Sequence, residues 1–447
     1  MQKPDKTCGT ARKSQMSREE RRKMNTNAPE RWTEDFEISA ESEEVLLDEV
    51  RNMEDNSLWL NGYVSSELRL IGIPSPMEAA QTAAAYGLEP ERTEENARGF
   101  GYRGRGGDTR ERATGLILAF QDAALRLGPT GDYKEYKNIS RAAWGTLCET
   151  AKLTGSALGR MAPLQLADCL NEGLFVARGQ SLLLLRYDKI MALHSDSECG
   201  YCVMPISELL EISRRELEAK FGTVVFREAR HSNILTTALW ELPDAKKQML
   251  VKYQSALAHA ASRLHPIDFM PAVRFTASDT ARSSATLRPM FVKKDGTALT
   301  FGGDIAVKHE KKRSGICGVD LFTQEAGKLF AKFDETLAKV QEMAETEIYN
   351  PVNCTVGLFN FINRGGALIK RQYADAAREE VERFSVSSPV MSMHDIYISM
   401  SECVCAAKRD DVRNTAKIEE ALSKVLTADW KAYDVGGLVA WGEKGAA

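Results

Sequence analysis

Seven consecutive residues, Ser278-Asp279-Thr280-Ala281-Arg282-Ser283-Ser284, combine hydroxyls with one charge of each sign between two apolar stretches. Downstream, "VKHEKKRSG" (307–315) gathers Lys308, His309, Lys311, Lys312 and Arg313, and Arg274 and Arg288 flank the hydroxyl-rich loop. Ser and Thr donate single hydrogen bonds while Arg offers a bidentate fork, so these types on adjacent hairpins suit phosphate groups. The plainer reading is a basic turn leading into a helix that begins with acidic residues. A second basic stretch, "RGFGYRGRGGDTRER" (98–112), interleaves Arg103 and Arg105 with Gly, Phe100 and Tyr102. Charge alternating with aromatic rings fits single-stranded nucleic acid. A solvated linker kept soluble by its arginines has the same composition.

Other chemistry finds less support. Cys199-Gly-Tyr-Cys202 lies close to His194, but a structural zinc needs four ligands, commonly as two spaced pairs. The other local pair, Cys403 and Cys405, is expected on a helix, where side chains two apart point in different directions. No metal is expected. Walker A, a dinucleotide glycine fingerprint after a strand and a G-x-S-x-G elbow are all missing, so no cofactor is expected either. His231 and His309 sit among polar residues as candidate ligand contacts or exposed loop histidines. Paired acids such as Glu379-Glu380 fall on expected helix faces.

The elements that must position these groups follow from periodicity. Residues 1–40 are charge-rich and lack an aliphatic pattern, which predicts a disordered tail. Residues 41–174 read as a mainly helical region, with the flexible Arg/Gly loop at 98–112. Its helices are expected over 41–56, 74–88, 113–128, 140–153 and 162–174, with Ser140 and Gly87 as cap and stop. Residues 175–320 read as an α+β core with one largely antiparallel sheet. "QSLLLLRYDKIMALHS" gives two strands and a tight turn, 205–222 and 243–264 give helices, and five further β-rich segments follow. Residues 321–447 form a helical C-terminal region. The fold class is α+β, with helices before and after the central sheet.

The stretch from about 175 to 348 resembles the phage/plasmid-like family called domain of unknown function 932. "FTASDTARSSATLRPMF" is similar to that family's polar loop and following Leu-Arg strand. "VKHEKKRSG" is similar to its basic segment with histidine, and "FTQEAGKLFAKFDETLAKVQEMAET" to its long helix. One departure stands out: "LTFGGDIAVKH" occupies the place where many members carry a Cys-Asn pair. The resemblance implies a gene of a phage, plasmid or conjugative element, and it implies no reaction.

With 59 basic and 63 acidic residues the net charge is −4, against whole-surface coating of nucleic acid but not against a local basic groove. No run of apolar residues is long enough to span a membrane, and no apolar signal stretch opens the chain. Nine irregularly spaced cysteines read as reduced thiols of the cytoplasm. The leading expectation is a non-enzymatic nucleic-acid-binding protein of a mobile element, with single-stranded DNA in replication or recombination as its target. Two others compete: an interaction protein that antagonises a host defence or restriction factor, and an enzyme whose catalytic groups meet only in the folded chain.

Overall fold

Thirteen strands of the chain build two sheets. The computed structural model describes residues 31–99, 113–121, 135–155, 157–195, 200–257, 268–310, 318–365, 369–410, 415–437 and 439–441. The strands are β1 (Glu37–Ala40), β2 (Ser57–Val64), β3 (Arg69–Gly72), β4 (Leu116–Phe120), β5 (Glu135–Ile139), β6 (Gln180–Arg186), β7 (Lys189–Ser195), β8 (Val225–Ser232), β9 (Thr236–Glu241), β10 (Phe269–Ala277), β11 (Ala285–Lys293), β12 (Ala298–Leu299) and β13 (Ile305–Val307). The larger sheet runs β1-β8-β9-β10-β11-β12, with β13 also on β11. The smaller runs β2-β6-β7-β5-β4-β3, antiparallel except where β5 meets β7. Helices dominate the C-terminal region after β13.

The larger sheet is the α+β core expected from the sequence, but a second large sheet of six strands accompanies it, and Glu347–Ile348 pairs with Met391–Ser392 as a small two-stranded one. β6 and β7 leave the larger sheet and join strands from the region read as mainly helical. That region holds four of its five expected helices, among them Glu43–Asp55 capped by Ser42 and Pro163–Ala177, and adds β2 to β5. Over 113–121 a strand replaces the expected helix. "LILAF" is a short apolar run, buried throughout in β4, and such a run carries no period that separates strand from helix.

Each sheet is built by alternation. In the larger one Trp240, Val273, Phe275, Leu287 and Phe291 point into a core shared with Leu209, Met249, Phe322 and Phe333 from the covering helices. Full burial of each such ring or branched side chain contributes roughly 1.5–3 kcal/mol. In the smaller sheet Leu118, Phe120, Leu183 and Leu193 pack on Leu147, Leu166 and Leu170 of two helices. Its last strand, β3, is closed off by a side chain. Asn171 Oδ1 accepts from the Leu70 amide at 2.7 Å and its Nδ2 donates to the Leu70 carbonyl at 2.9 Å, as a neighbouring strand would.

The disordered tail expected over residues 1–40 does not extend through its last ten residues. Residues 1–30 lie outside the described residues, but 31–40 are ordered on the core. Arg31 pairs with Glu49 at 2.7 Å, and β1 pairs with β8. Glu34 is buried against Lys189 (3.3 Å) and accepts from the Ser140 hydroxyl at 2.8 Å. Burial raises its carboxyl pKa, which the Lys189 charge opposes. Lys189 also reaches Glu95 at 2.7 Å and lies over the Trp32 ring.

Candidate functional site

The loop between β10 and β11 has an inward half and an outward half. The inward half is organised by the buried Ser278 hydroxyl, which donates to the Ile234 carbonyl at 2.7 Å. It accepts from the backbone amides of Thr280 and Arg282, both at 3.2 Å. A serine that bonds its own following backbone folds a tight turn, and Ala281 takes the left-handed conformation there (φ 58°).

Asp279 carries the loop onto the smaller sheet. Its carboxylate pairs with Arg186 at the end of β6, whose side chain is wholly buried. The same guanidinium donates to Ser57 Oγ at 2.8 Å and to the Asn233 carbonyl at 3.3 Å. The Asp279 carbonyl accepts from His194 Nε2 at 2.9 Å and from the Tyr201 hydroxyl at 3.2 Å. Ser278 and Asp279, read from the sequence as ligand contacts, therefore spend their polar groups holding the loop against its own protein.

Beneath the loop, aromatic rings stack. Tyr201 lies between two histidines, 3.6 Å from His194 and 5.0 Å from His309 by ring centroids, with interplanar angles of 14° and 10°. Trp59 of β2 flanks the stack 5.5 Å from Tyr201. Burial pushes His194 down to about 4 and lowers His309, so both imidazoles are neutral at neutral pH. Burial and the nearby Asp279 charge raise the Tyr201 phenol well above its usual value. Neutral His194 donates from Nε2 to the carbonyl it faces. His309 faces the Cys202 carbonyl with Nδ1 at 3.3 Å, which assigns the proton to Nδ1 and leaves Nε2 as a bare lone pair. That Nε2 is buried and has no hydrogen-bond partner among the described residues.

The outward half presents exposed Ala281 and Arg282, followed by half-buried Ser283 and Ser284. Ser283 Oγ donates to the Ser284 carbonyl at 2.8 Å. β11 and β13 pair antiparallel with Ala285 opposite Val307, so the next residues outward, Ser284 and Lys308, flank one another. Lys308 is 74% exposed and lies 3.6 Å from the Glu310 carboxylate. The polar loop and the start of the basic segment thus share one sheet edge.

Two of the expected arginines are committed elsewhere. Arg274 lies on the alternate face of β10 and donates to Glu228 and the buried Glu419, each at 3.0 Å. A buried guanidinium needs such partners to offset its lost hydration, and this one holds the Thr415–Val425 helix to the sheet. Arg288 is half-buried and pairs with Asp304 at 2.7 Å. Lys311, Lys312, Arg313, Arg103 and Arg105 lie outside the described residues. His231 is not a loop histidine: it is buried in β8, bonded to Thr236 Oγ1 at 2.9 Å and pushed down to about 3 by burial.

Cys202 accepts from the Gly318 amide at 3.3 Å, Cys403 donates to Glu380 at 3.3 Å, and Cys199 lies outside the described residues. Among the described residues no group of three or more His, Cys, Asp or Glu is arranged to hold a metal ion. No helix among them is long and apolar enough to cross a membrane. Arg186, Tyr201 and Trp59 were not singled out by spacing. An arginine that ends the apolar run "LLLLR" was the one available signal of a buried charge. Comparison with protein-family models, with curated proteins and with solved structures finds no match.

Proposed function

We propose that the chain is a nucleic-acid-binding protein of a phage, plasmid or conjugative element, and that it takes single-stranded DNA on the sheet edge where the 282–284 loop meets Lys308. The observation that carries the reading is the Ala285–Val307 pairing, which sets Ser284, at the end of the polar loop, beside Lys308. The buried attachments of Ser278 and Asp279 support it further, because they fix the loop before any ligand arrives and lower the ordering cost of binding. Kinship with the phage/plasmid-like family belongs to the same proposal.

Binding of a labelled single strand to the full chain, titrated with salt, tests it. Arg282→Ala with Lys308→Ala should weaken binding across all sequences and reduce the salt slope by roughly one unit for each phosphate that is no longer neutralised. A parent protein that leaves single strands unbound at moderate salt refutes the reading. A protein-partner role is the second reading. Leu164, Phe175 and Val176 of one helix are 50%, 57% and 74% exposed, an apolar surface that suits another protein. Replacing them with serine should abolish capture of a defined host factor and leave DNA binding intact.

A further inference from the structure

We propose that the Pro351–Ile362 helix carries a peptide-binding groove, filled in the closed chain by its own residues 434–441. In trans the groove takes an extended segment of another protein that has a carboxylate and, seven residues on, an aromatic ring.

The grip on the built-in segment has three parts. The helix begins at Asn350, whose side chain does not cap it. The Asp434 carboxylate takes that place, accepting from the backbone amides of Tyr349 at 3.0 Å and Asn350 at 2.6 Å and from Asn350 Nδ2 at 3.0 Å. A negative charge on unpaired amides at the positive end of a helix is well placed. Next, Asn353 Nδ2 donates to the carbonyls of Val435 and Gly437, both at 2.6 Å, and Asn360 Nδ2 donates to that of Ala440 at 3.1 Å. Asparagines seven apart share one helix face about 10 Å from each other, the reach of an extended chain over three residues. At the far end the Trp441 ring lies 6.4 Å from the Phe359 ring, with the Arg371 guanidinium 5.5 Å over it. Side chains that bond main-chain carbonyls hold a segment whatever its sequence, and selectivity falls to the carboxylate and the ring.

The segment can lift away while the body stays folded. Val435 is 43% exposed, and Gly436, Gly437 and Ala440 are exposed too. Bonds at such positions open locally, and adjacent glycines regain much chain freedom on release. The root, in contrast, is fixed. Trp430 is buried and donates from Nε1 to the Val425 carbonyl at 2.8 Å, and Tyr433 sits so close to Gly357 that a Cβ there would lie 2.4 Å from its ring. That root also disfavours a second copy as the occupant. Its segment follows Tyr433 without a linker, so it would have to bring its own body onto a helix that Tyr433 already covers. A segment of another protein comes without that body.

In the full chain, Asp434→Ala with Trp441→Ser loosens the built-in segment and leaves the groove intact. The probe is the labelled peptide Asp-Val-Gly-Gly-Leu-Val-Ala-Trp, the sequence of 434–441, followed by fluorescence anisotropy. It should bind this variant about tenfold more tightly than the parent, whose own segment competes, and alanine in place of its Asp and Trp should weaken it by about tenfold, the worth of one bond to a charged group. Adding Asn353→Ala and Asn360→Ala to the variant should remove binding. A loosened variant that leaves the peptide unbound, or binds both peptides equally, overturns the inference. Hydrogen exchange on the parent needs no variant. The Tyr349 and Asn350 amides should exchange faster than those of β10, through local release, and should slow when the peptide is added. Exchange of these two amides only at the β10 rate also overturns the inference, because the groove would then open only on unfolding. Parent molecules that pair with each other and are separated by the peptide would give the groove to a second copy, and overturn the choice of partner.

Discussion

Asp279→Ala removes one carboxylate and leaves everything else that holds the 278–284 loop, because His194 and Tyr201 bond the Asp279 carbonyl rather than its side chain. What remains is a guanidinium with no exposed side-chain surface and no counter-charge. Breaking a buried pair in this way costs about 3–5 kcal/mol. At roughly 2–4 °C per kcal/mol for domains of 150–250 residues, the thermal midpoint should fall by on the order of 10 °C. Arg186→Met loses the same pair together with the bonds to Ser57 and Asn233, but the carboxylate it leaves keeps 13% of its surface in water and can shed its charge by taking up a proton. With the arginine gone, Asp279→Ala should cost little more. The double variant should therefore lie close to Arg186→Met alone, a coupling close to the whole cost of Asp279→Ala, about 3–5 kcal/mol. Urea denaturation of the four proteins, read by circular dichroism, measures the cycle. A cost for Asp279→Ala below about 1 kcal/mol, or strict additivity, would show that the pair behaves like a surface ion pair and that water reaches Arg186.

Acid should destabilise the protein through its buried histidines. His194 and His231 titrate at about 4 and about 3 in the folded chain, against about 6.5 when unfolded. The unfolded chain binds the extra protons between those values, so stability is complete above about pH 6.5 and is lost as pH falls through the window, by on the order of 1 kcal/mol per pH unit for each. His194→Gln and His231→Gln should each flatten that slope in denaturation curves recorded from pH 7 to 4, and an unchanged slope would mean that the rings are hydrated. Truncation separates the N-terminal segments: removing residues 1–40 should lower the thermal midpoint by several degrees beyond removal of 1–30, because Lys189 then loses Glu34 and β8 loses β1. Equal midpoints for the two truncations would contradict the docking of 31–40.

Legibility in the sequence depended on what each element buries. The β6–β7 hairpin could be read because an apolar run breaks at Tyr187-Asp188, and both residues do take positive φ (47° and 65°) at the turn. Ser140 was legible as a cap and accepts from the Ala142 amide at 3.2 Å. β5, "EYKNI", was not, because its middle position Lys137 reaches Asp188 and its Asn138 belongs to a buried amide network with Asn96 and Thr93. Polar residues in a central strand defeat a hydrophobic pattern, and only the folded neighbours explain them. "ALTFGGDIAVKH" reads as one strand but divides into β12 and β13. Gly302 and Gly303 turn the chain between them at φ 89° and 77°, and a Cβ on Gly303 would sit 2.6 Å from the Lys332 carbonyl. At the candidate site, spacing brought out the loop and the basic segment. It could not show that Asp279 faces a buried arginine some ninety residues earlier in the chain, nor that His309 lies against Tyr201. Neighbours so far apart along the chain leave no local trace.

The amide of Asn171 stands on β3 where a further strand would otherwise add. A side chain that occupies both backbone groups of Leu70 makes this flank of the sheet a dead end for self-association. Two copies crowded together can touch there without zipping their sheets into a fibre. Leucine at 171 would fill the same space with nothing to bond, and would leave this edge open to pairing with a second copy.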